Sequence, residues 1–155
     1  MPRSMLPIVS VIGMAVMSQA SPAATPSSQE SLVHYTEGPG HYPFSPAVRA
    51  GNIIYLSGQI GGDSHGLGKD FDSQARLAMD AVMATAKLAG IGPDDIAKCT
   101  VMLADMKNWD AFNKIYRTYF TEGHFPARSA LGVTGLALGA ALEIECIGYA
   151  PSSKK

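Results

Sequence analysis

The order of helix-like and strand-like stretches constrains the fold of this chain more than any other feature of its sequence. Four stretches rich in β-branched, aromatic or alternating apolar residues are typical of strands: 52–59, 96–104, 127–134 and 142–149. Two amphipathic stretches lie between the first three and predict helices, one from Phe71 to a stop at Gly90 and one from about Asn108 to Phe120. With at least one further strand before Asn52, this order favours an α+β fold, a single layer in which helices pack on one face of a mixed sheet.

The second predicted helix carries an aromatic stripe formed by Trp109, Phe112, Tyr116 and Tyr119. Residues at this spacing lie on one face of a helix, and an apolar stripe of this kind usually packs against a sheet. We therefore interpret it as core packing and not as a platform on which nucleic-acid bases stack.

The length and charge of the chain limit the number of domains and the kinds of partner that we expect. At about 100–200 residues per domain, a chain of 155 residues is expected to form one domain. It has 12 Lys and Arg against 13 Asp and Glu, with no long basic run, so a nucleic-acid partner is not expected. The four histidines lack metal-ligand spacing, so a metal site is not supported, and no phosphate-binding or dinucleotide-binding glycine motif is present.

The first 20 residues have the pattern of a secretory signal peptide. Arg3 precedes an uncharged apolar run, and Ser18-Gln19-Ala20 supplies small residues before a cut after Ala20. The run is about 13 residues long, short of the roughly 18–20 that span a bilayer, so no stable membrane anchor is expected. We expect a signal peptide at 1–20, a disordered Ser/Pro/Ala-rich spacer at 21–30, and export to the periplasm. The alternative is an over-extended start that leaves the protein in the cytoplasm.

The two cysteines, Cys99 and Cys146, lie in separate predicted strands. An exported protein can form disulfides, but two cysteines in strands of one sheet are more often separate buried thiols. We expect free thiols, with a disulfide as the alternative.

Polar residues interrupt the apolar strands at three places that core packing does not explain: Ser57-Gly58-Gln59, Arg128 and Glu143. Arg128 has no acidic residue within five positions, and a guanidinium there is costly unless it is paired or holds an anion such as a carboxylate. A structural ion pair with Glu143 or Glu145 is the alternative. The two glutamates share a strand face and can also be solvated edge residues, and Ser57-Gly58 can be a strand end with a bulge.

Several segments together resemble the RidA (YjgF) family of reactive-intermediate deaminases. The combination of Pro126-Ala127-Arg128-Ser129 with a downstream Glu-Ile-Glu is specific, whereas each piece alone is weak. The resemblance covers a domain at residues 31–150, followed by a tail at 151–155. In the family's order, the matching segments are Pro43–Val48, Gly51-Asn52, Leu56–Ile60, Thr100–Met106, Asn113–Phe120, Pro126–Ala130 and Glu143–Glu145.

The resemblance implies a chorismate-mutase-like α+β fold assembled as a homotrimer, with ligand sites in the clefts between subunits. It also implies hydrolysis of 2-imino acids, such as 2-iminopropanoate and 2-iminobutanoate, to 2-oxo acids and ammonia, without a cofactor or metal. A non-catalytic trimer of the same fold that binds small carboxylates or acts like a chaperone is the alternative. A ribonuclease activity is disfavoured because the chain has no basic stripe.

The resemblance also assigns roles to individual residues. Arg128 matches the arginine that holds the substrate carboxylate, and Glu143 matches the glutamate that positions or activates water. Ser57, Gly58 and Asn113 match residues that line the pocket. Phe44 replaces a tyrosine whose hydroxyl borders the pocket, and Tyr42 is nearby in a different register. Ala130 stands where many members have Cys or Thr, which makes the predicted pocket more apolar.

Overall fold

The computed structural model describes residues 31–36 and 42–150. The signal peptide, spacer and tail predicted for 1–20, 21–30 and 151–155 lie outside the described residues. The strands are β1 Val33–Tyr35, β2 Ala47–Ala50, β3 Ile53–Ile60, β4 Gly62–Asp63, β5 Gly66–Leu67, β6 Ile96–Leu103, β7 Ala127–Gly132 and β8 Leu142–Tyr149. The helices are α1 Phe71–Leu88 and α2 Trp109–Tyr116, and α2 continues into a 3₁₀ turn at Arg117–Tyr119.

The main sheet is mixed, as predicted. In the described part of the chain it has six strands in the order β1-β2-β3-β8-β6-β7. Neighbouring strands are antiparallel, except that β6 and β7 are parallel because α2 forms the crossover between them. Two strands precede Asn52, and the stretch 61–68, which has the composition of a loop, contains the short hairpin of β4 and β5. The α+β class and the alternation of elements are confirmed.

Helix α1 begins where its sequence supplies a cap. The Asp70 carboxylate accepts a hydrogen bond from the Ser73 backbone N–H at 2.8 Å, and the Ser73 hydroxyl oxygen accepts one from the Asp70 N–H at 3.1 Å. These reciprocal bonds satisfy donors that the first turn leaves free, and the bonds from Ser73 lower the pKa of the Asp70 carboxyl. The helix ends before Gly90, whose φ of 77° is a conformation that glycine adopts without strain.

The core lies between the two helices and one face of the sheet. Its fully buried side chains include Ile54, Met79, Val82, Leu103, Phe112, Leu142 and Ile144. Helix α2 contributes Phe112 and Tyr116 to this layer, whereas Trp109 and Tyr119 are only partly buried. No helix of the described chain covers the opposite face of the sheet, which we call the open face; it carries Tyr55, Leu131, Glu143, Glu145 and Tyr149.

Cys99 and Cys146 form a disulfide, so the expectation of two separate thiols is wrong. The reason is register: Cys99 in β6 lies directly opposite Cys146 in β8, with 4.1 Å between their Cα atoms. Both side chains point into the helix-covered core, where they are almost completely buried. The sequence predicts two strands for these cysteines, but it does not specify how the strands align.

Across the described residues, no helix combines the length and the hydropathy that crossing a bilayer would require.

Candidate active site in two halves

The guanidinium of Arg128 lies in an aromatic cage on the helix-covered face of the sheet. Arg128 pairs with Cys99 across β7 and β6, so its side chain points to the same face as the disulfide. Its Cζ lies 4.6 Å from the ring centroid of Tyr116, 5.1 Å from that of Trp109 and 5.8 Å from that of Phe112. At these distances the ring faces attract the cation and fix its position. Burial raises the pKa of the Tyr116 phenol to about 12, although the nearby Arg128 charge acts in the opposite direction.

A fourth side chain of α2, Asn113, forms a hydrogen bond with this guanidinium. The Oδ1 atom of Asn113 accepts a hydrogen bond from Nη2 of Arg128. Within residues 31–36 and 42–150, no carboxylate lies at ion-pair distance from Arg128, so the alternative of an ion pair with Glu143 or Glu145 is wrong. A guanidinium has five N–H donors, and the Asn113 bond uses one of them. This arrangement is suited to an anion that approaches from outside the sheet.

An open, shallow cleft of about 520 Å³ adjoins the cage at the edge of the sheet. Ala130 follows Arg128 by two residues on the same face of β7, as its pairing with buried Val101 shows. The cleft shares Trp109 with the cage, and it is lined by Met106, Lys107, Trp109, Asp110 and Ala130.

The second half of the site lies on the open face. The pairing of β3 with β8 is interrupted between Leu56 and Gln59, which confirms a bulge at Ser57-Gly58. A Cβ atom at Gly58 would collide with Oε1 of Glu143, so the Glu143 carboxylate lies directly over this glycine. The Ser57 hydroxyl donates a hydrogen bond to the Ser45 carbonyl oxygen at 2.7 Å, and this bond ties the bulge to the segment before β2.

Phe44 lies in that segment and is exposed. Its ring stacks on that of Tyr42, with 5.2 Å between centroids and 15° between planes. Phe44 directly precedes Ser45, whose carbonyl oxygen holds the Ser57 hydroxyl. Through Ser45, the aromatic pair is therefore connected to the bulge that the Glu143 carboxylate covers.

Strand register separates the two halves. Arg128 pairs with Cys99, and Cys99 pairs with Cys146, so all three share the helix-covered face. Glu143 precedes Cys146 by three residues, and alternation along a strand places it on the open face. The structure therefore brings Arg128, Asn113 and Ala130 together, and separately Glu143 and Gly58, but the sheet lies between the two groups within one chain.

Sequence reasoning assigned Trp109, Phe112 and Tyr116 to core packing and missed their contact with Arg128. Their helical spacing was visible, but the strand that the stripe covers depends on the crossover from β6 to β7. Met106, Lys107 and Asp110 were also missed, because no periodic pattern singles them out. Among the described residues, no group of three His, Cys, Asp or Glu side chains is arranged to hold a metal ion.

Comparisons with known proteins agree with this geometry. A family model described as Endoribonuclease L-PSP matches residues 38–150. The chain is 40% identical over 108 residues to a mouse protein named 2-iminobutanoate/2-iminopropanoate deaminase. The aligned region covers 68% of this chain and 79% of the mouse protein. It is 36% identical over 110 residues to the RutC family protein PH0854 of Pyrococcus horikoshii. This alignment covers 69% of this chain and 86% of that protein.

Solved structures show the same fold. The YjgF gene product from E. coli superimposes with a TM-score of 0.70 and 33% identity, covering 76% of this chain and 98% of that one. The Rid family protein YyfA from Yersinia pestis superimposes with a TM-score of 0.73 and 32% identity, covering 77% of this chain and 100% of that one. The family match, the identities and the shared fold lead to one conclusion: this chain belongs to the RidA (YjgF) family.

Proposed function

We propose that this protein hydrolyses 2-imino acids to 2-oxo acids and ammonia. The observation that carries the proposal is the Arg128 guanidinium, which is fixed by aromatic rings and Asn113 and has no carboxylate partner among the described residues. A planar guanidinium binds a carboxylate through two parallel hydrogen bonds. The name of the mouse relative, a 2-iminobutanoate/2-iminopropanoate deaminase, supports the same reaction.

The chemistry requires orientation more than activation, because an imine carbon is already electrophilic. Arg128 holds the carboxylate, and Glu143 accepts a proton from a water molecule as its oxygen bonds to the imine carbon. The substrate reacts as its protonated iminium, so the C=N bond becomes a single bond and its electron pair stays on the now neutral amine nitrogen. Glu143 then returns its proton to this nitrogen, ammonia leaves with the C–N bonding electrons, and the Glu143 carboxylate accepts the proton of the remaining hydroxyl as the 2-oxo acid forms.

The separation of the two halves supports a site shared between copies of the chain. Arg128 lies in edge strand β7, where the open face of a second copy can approach it with its own Glu143. The open face carries Tyr55, Leu131 and Tyr149 at 50%, 51% and 47% exposure, an apolar surface that association would bury. We propose a homotrimer, the assembly that the family resemblance implies, in which a cyclic arrangement gives every copy the same neighbour and completes the same site.

The test uses amino-acid oxidase to generate imines in the presence of semicarbazide, which competes for them, with purified residues 21–155 added. The wild-type protein should accelerate 2-oxo acid formation. Arg128→Ala should reduce kcat/KM by roughly 10- to 150-fold, the equivalent of a lost hydrogen bond to a charged group. The oligomeric state, measured by light scattering, should not change.

Glu143→Gln should lower kcat in the same assay, because an amide does not accept the proton from water. Glu145→Gln is the matched control, since Glu145 lies two residues further along the same open face and is exposed. Equal rates for the wild type and Glu143→Gln would remove Glu143 from the mechanism. Full activity of Arg128→Ala would refute the carboxylate clamp.

The alternative of a non-catalytic carboxylate-binding protein uses the same guanidinium. The carboxylate of Glu143 over Gly58 favours the enzyme, since a binder of anions gains nothing from a second negative group. Binding of a 2-oxo acid without acceleration of any imine would favour the binder.

We also propose that the protein is exported. The pattern of residues 1–20 supports this proposal, and so does the disulfide, because disulfides persist in oxidising compartments. Mass spectrometry of the protein recovered from cells should find an N-terminus at Ser21. An uncleaved N-terminus together with two alkylatable thiols would instead indicate a cytoplasmic protein.

A further inference from the structure

The glutamine in the first turn of helix α1 connects, through hydrogen bonds, the ends of three strands near Glu143. This residue, Gln74, is half-buried. We propose that Gln74 is a positioning residue, which holds the start of β8 so that the Glu143 carboxylate stays over Gly58. The inference rests on the proposed function, because Gln74 affects the reaction only through the role of Glu143.

Both ends of the Gln74 amide form hydrogen bonds. Its Nε2 atom donates to the Gly68 carbonyl oxygen at 2.9 Å, directly after β5. Its Oε1 atom accepts a hydrogen bond from the Ala141 backbone N–H at 2.8 Å, directly before β8. A carbonyl oxygen needs a donor and an N–H needs an acceptor, so these two partners fix the orientation of the amide. The side chain therefore joins the hairpin of β4 and β5 to the start of β8.

Two backbone hydrogen bonds extend this connection to the ends of β3 and β6. The Gly68 N–H donates to the carbonyl oxygen of Gly61, which directly follows β3, at 2.9 Å. The N–H of Ala104, which directly follows β6, donates to the Ala141 carbonyl oxygen at 3.0 Å. A Cβ atom at Gly61 would collide with the Gln74 backbone, and one at Gly68 would lie 2.7 Å from the Gln74 nitrogen. The first turn of α1 therefore packs directly against both glycines.

Glu143 depends on such a connection because it lies near the end of its strand. It is the second residue of β8, and strand ends open more readily than strand centres. In the described chain, β3 offers β8 two paired residues beyond the bulge, Gln59 and Ile60. The hydrogen bond between Ala141 and Gln74 acts two residues before Glu143 and should limit the movement of its carboxylate.

Steady-state kinetics on imines generated by amino-acid oxidase test this role. Gln74→Leu removes both hydrogen bonds of the amide. It should lower kcat by roughly 10- to 100-fold, because misplacing a reacting group by about 1 Å can cost about 100-fold. KM should stay within about twofold, since the bonds of Gln74 go to Gly68 and Ala141 and leave the contacts of Arg128 in place.

Two further variants separate positioning from a general loss of stability. Gln74→Glu keeps an acceptor for Ala141 but cannot donate to Gly68, so its kcat should lie between those of the wild type and Gln74→Leu. Asp70→Ala is the matched control, since it removes the cap of the same helical turn and should lower stability without lowering kcat. An equal loss of kcat in Asp70→Ala would overturn the proposal.

A double-mutant cycle shows whether Gln74 acts through Glu143. Where Glu143→Gln has already removed the carboxylate, Gln74→Leu should change the remaining kcat by less than about twofold. A full additional loss in the double variant would overturn the proposal, because Gln74 would then act on the reaction by another route.

Hydrogen exchange of backbone amides separates this proposal from the proposed function. In Gln74→Leu, the amides of residues 141–144 should exchange faster than in the wild type, whereas in Asp70→Ala they should not. Faster exchange there in a protein whose wild type hydrolyses no imine would support the hold on β8 and refute only the proposed function. Unchanged exchange in Gln74→Leu, or an unchanged kcat in this variant of an active enzyme, would overturn the proposal.

Discussion

Removing the disulfide between Cys99 and Cys146 should lower the free energy of unfolding by an amount that depends on the length of chain between the two cysteines. The two cysteines are 47 residues apart, and a cross-link over a loop of this length restricts the unfolded chain. The loop-closure relation gives a loss of about 4 kcal/mol per chain at 25 °C. Both sulfurs are buried, so a reductant should act only after the chain unfolds.

The assay is urea unfolding of the wild type and of the double variant Cys99→Ala/Cys146→Ala, followed by circular dichroism. At a slope of about 2 kcal/mol per molar urea, the midpoint should fall by about 2 M. For wild-type protein unfolded in the presence of a phosphine reductant, the urea midpoint should fall by the same amount. The reductant should not change the midpoint of the double variant. All samples need one protein concentration, because subunit association contributes to apparent stability.

Two results would refute this reasoning. Equal midpoints of the wild type with and without reductant would show that the cross-link contributes nothing. Two alkylatable thiols per chain in the denatured, unreduced protein would show that it does not form.

Three further changes test the site. In Gly58→Ala, the new Cβ displaces the Glu143 carboxylate, so steady-state kinetics should show a lower kcat with little change in KM; an unchanged kcat would contradict the placement of Glu143. Asn113→Leu removes the acceptor that holds Arg128 and should raise KM by roughly 2- to 12-fold, whereas an unchanged KM would mean that this bond does not orient the guanidinium. Because burial raises the pKa of Tyr116 to about 12, stability from its neutral phenol is present below about pH 10 and is lost as the pH rises through about 12. In thermal unfolding, Tyr116→Phe should lose less stability than the wild type as the pH rises above about 10. The same pH dependence in both proteins would contradict this role of the Tyr116 phenol.

The elements of the fold follow from local sequence. The alternation in residues 142–149 predicts β8 with its observed bounds, and the cap at Asp70 together with Gly90 limits α1 almost as predicted. The end of α2 differs, because the last turn before Phe120 tightens into a 3₁₀ turn, and β7 ends at Gly132, two residues before the predicted end of that strand. These features depend on neighbours within a few residues, where helical and strand periodicity act directly.

The candidate site shows where local sequence stops being sufficient. The sequence singles out Arg128 as a charge in an apolar strand but leaves open whether it pairs with a glutamate or holds an anion, and among the described residues no carboxylate pairs with it. The residues that hold it, Trp109 and Tyr116, lie on a helix whose position over β7 depends on the crossover connection. Ala130 was identified through the family resemblance, but the cleft that it lines with Met106 depends on tertiary packing.

The sequence by itself determined the α+β class, the order of the elements and the fact that Glu143 and Glu145 share one strand face. Only the tertiary structure decided that Cys99 meets Cys146 and that Arg128 and Glu143 lie on opposite faces. The physical reason is that side-chain alternation is a property of one strand, whereas the relation between strands depends on register. A shift of one residue in that register would move Arg128 to the other face without changing any local pattern.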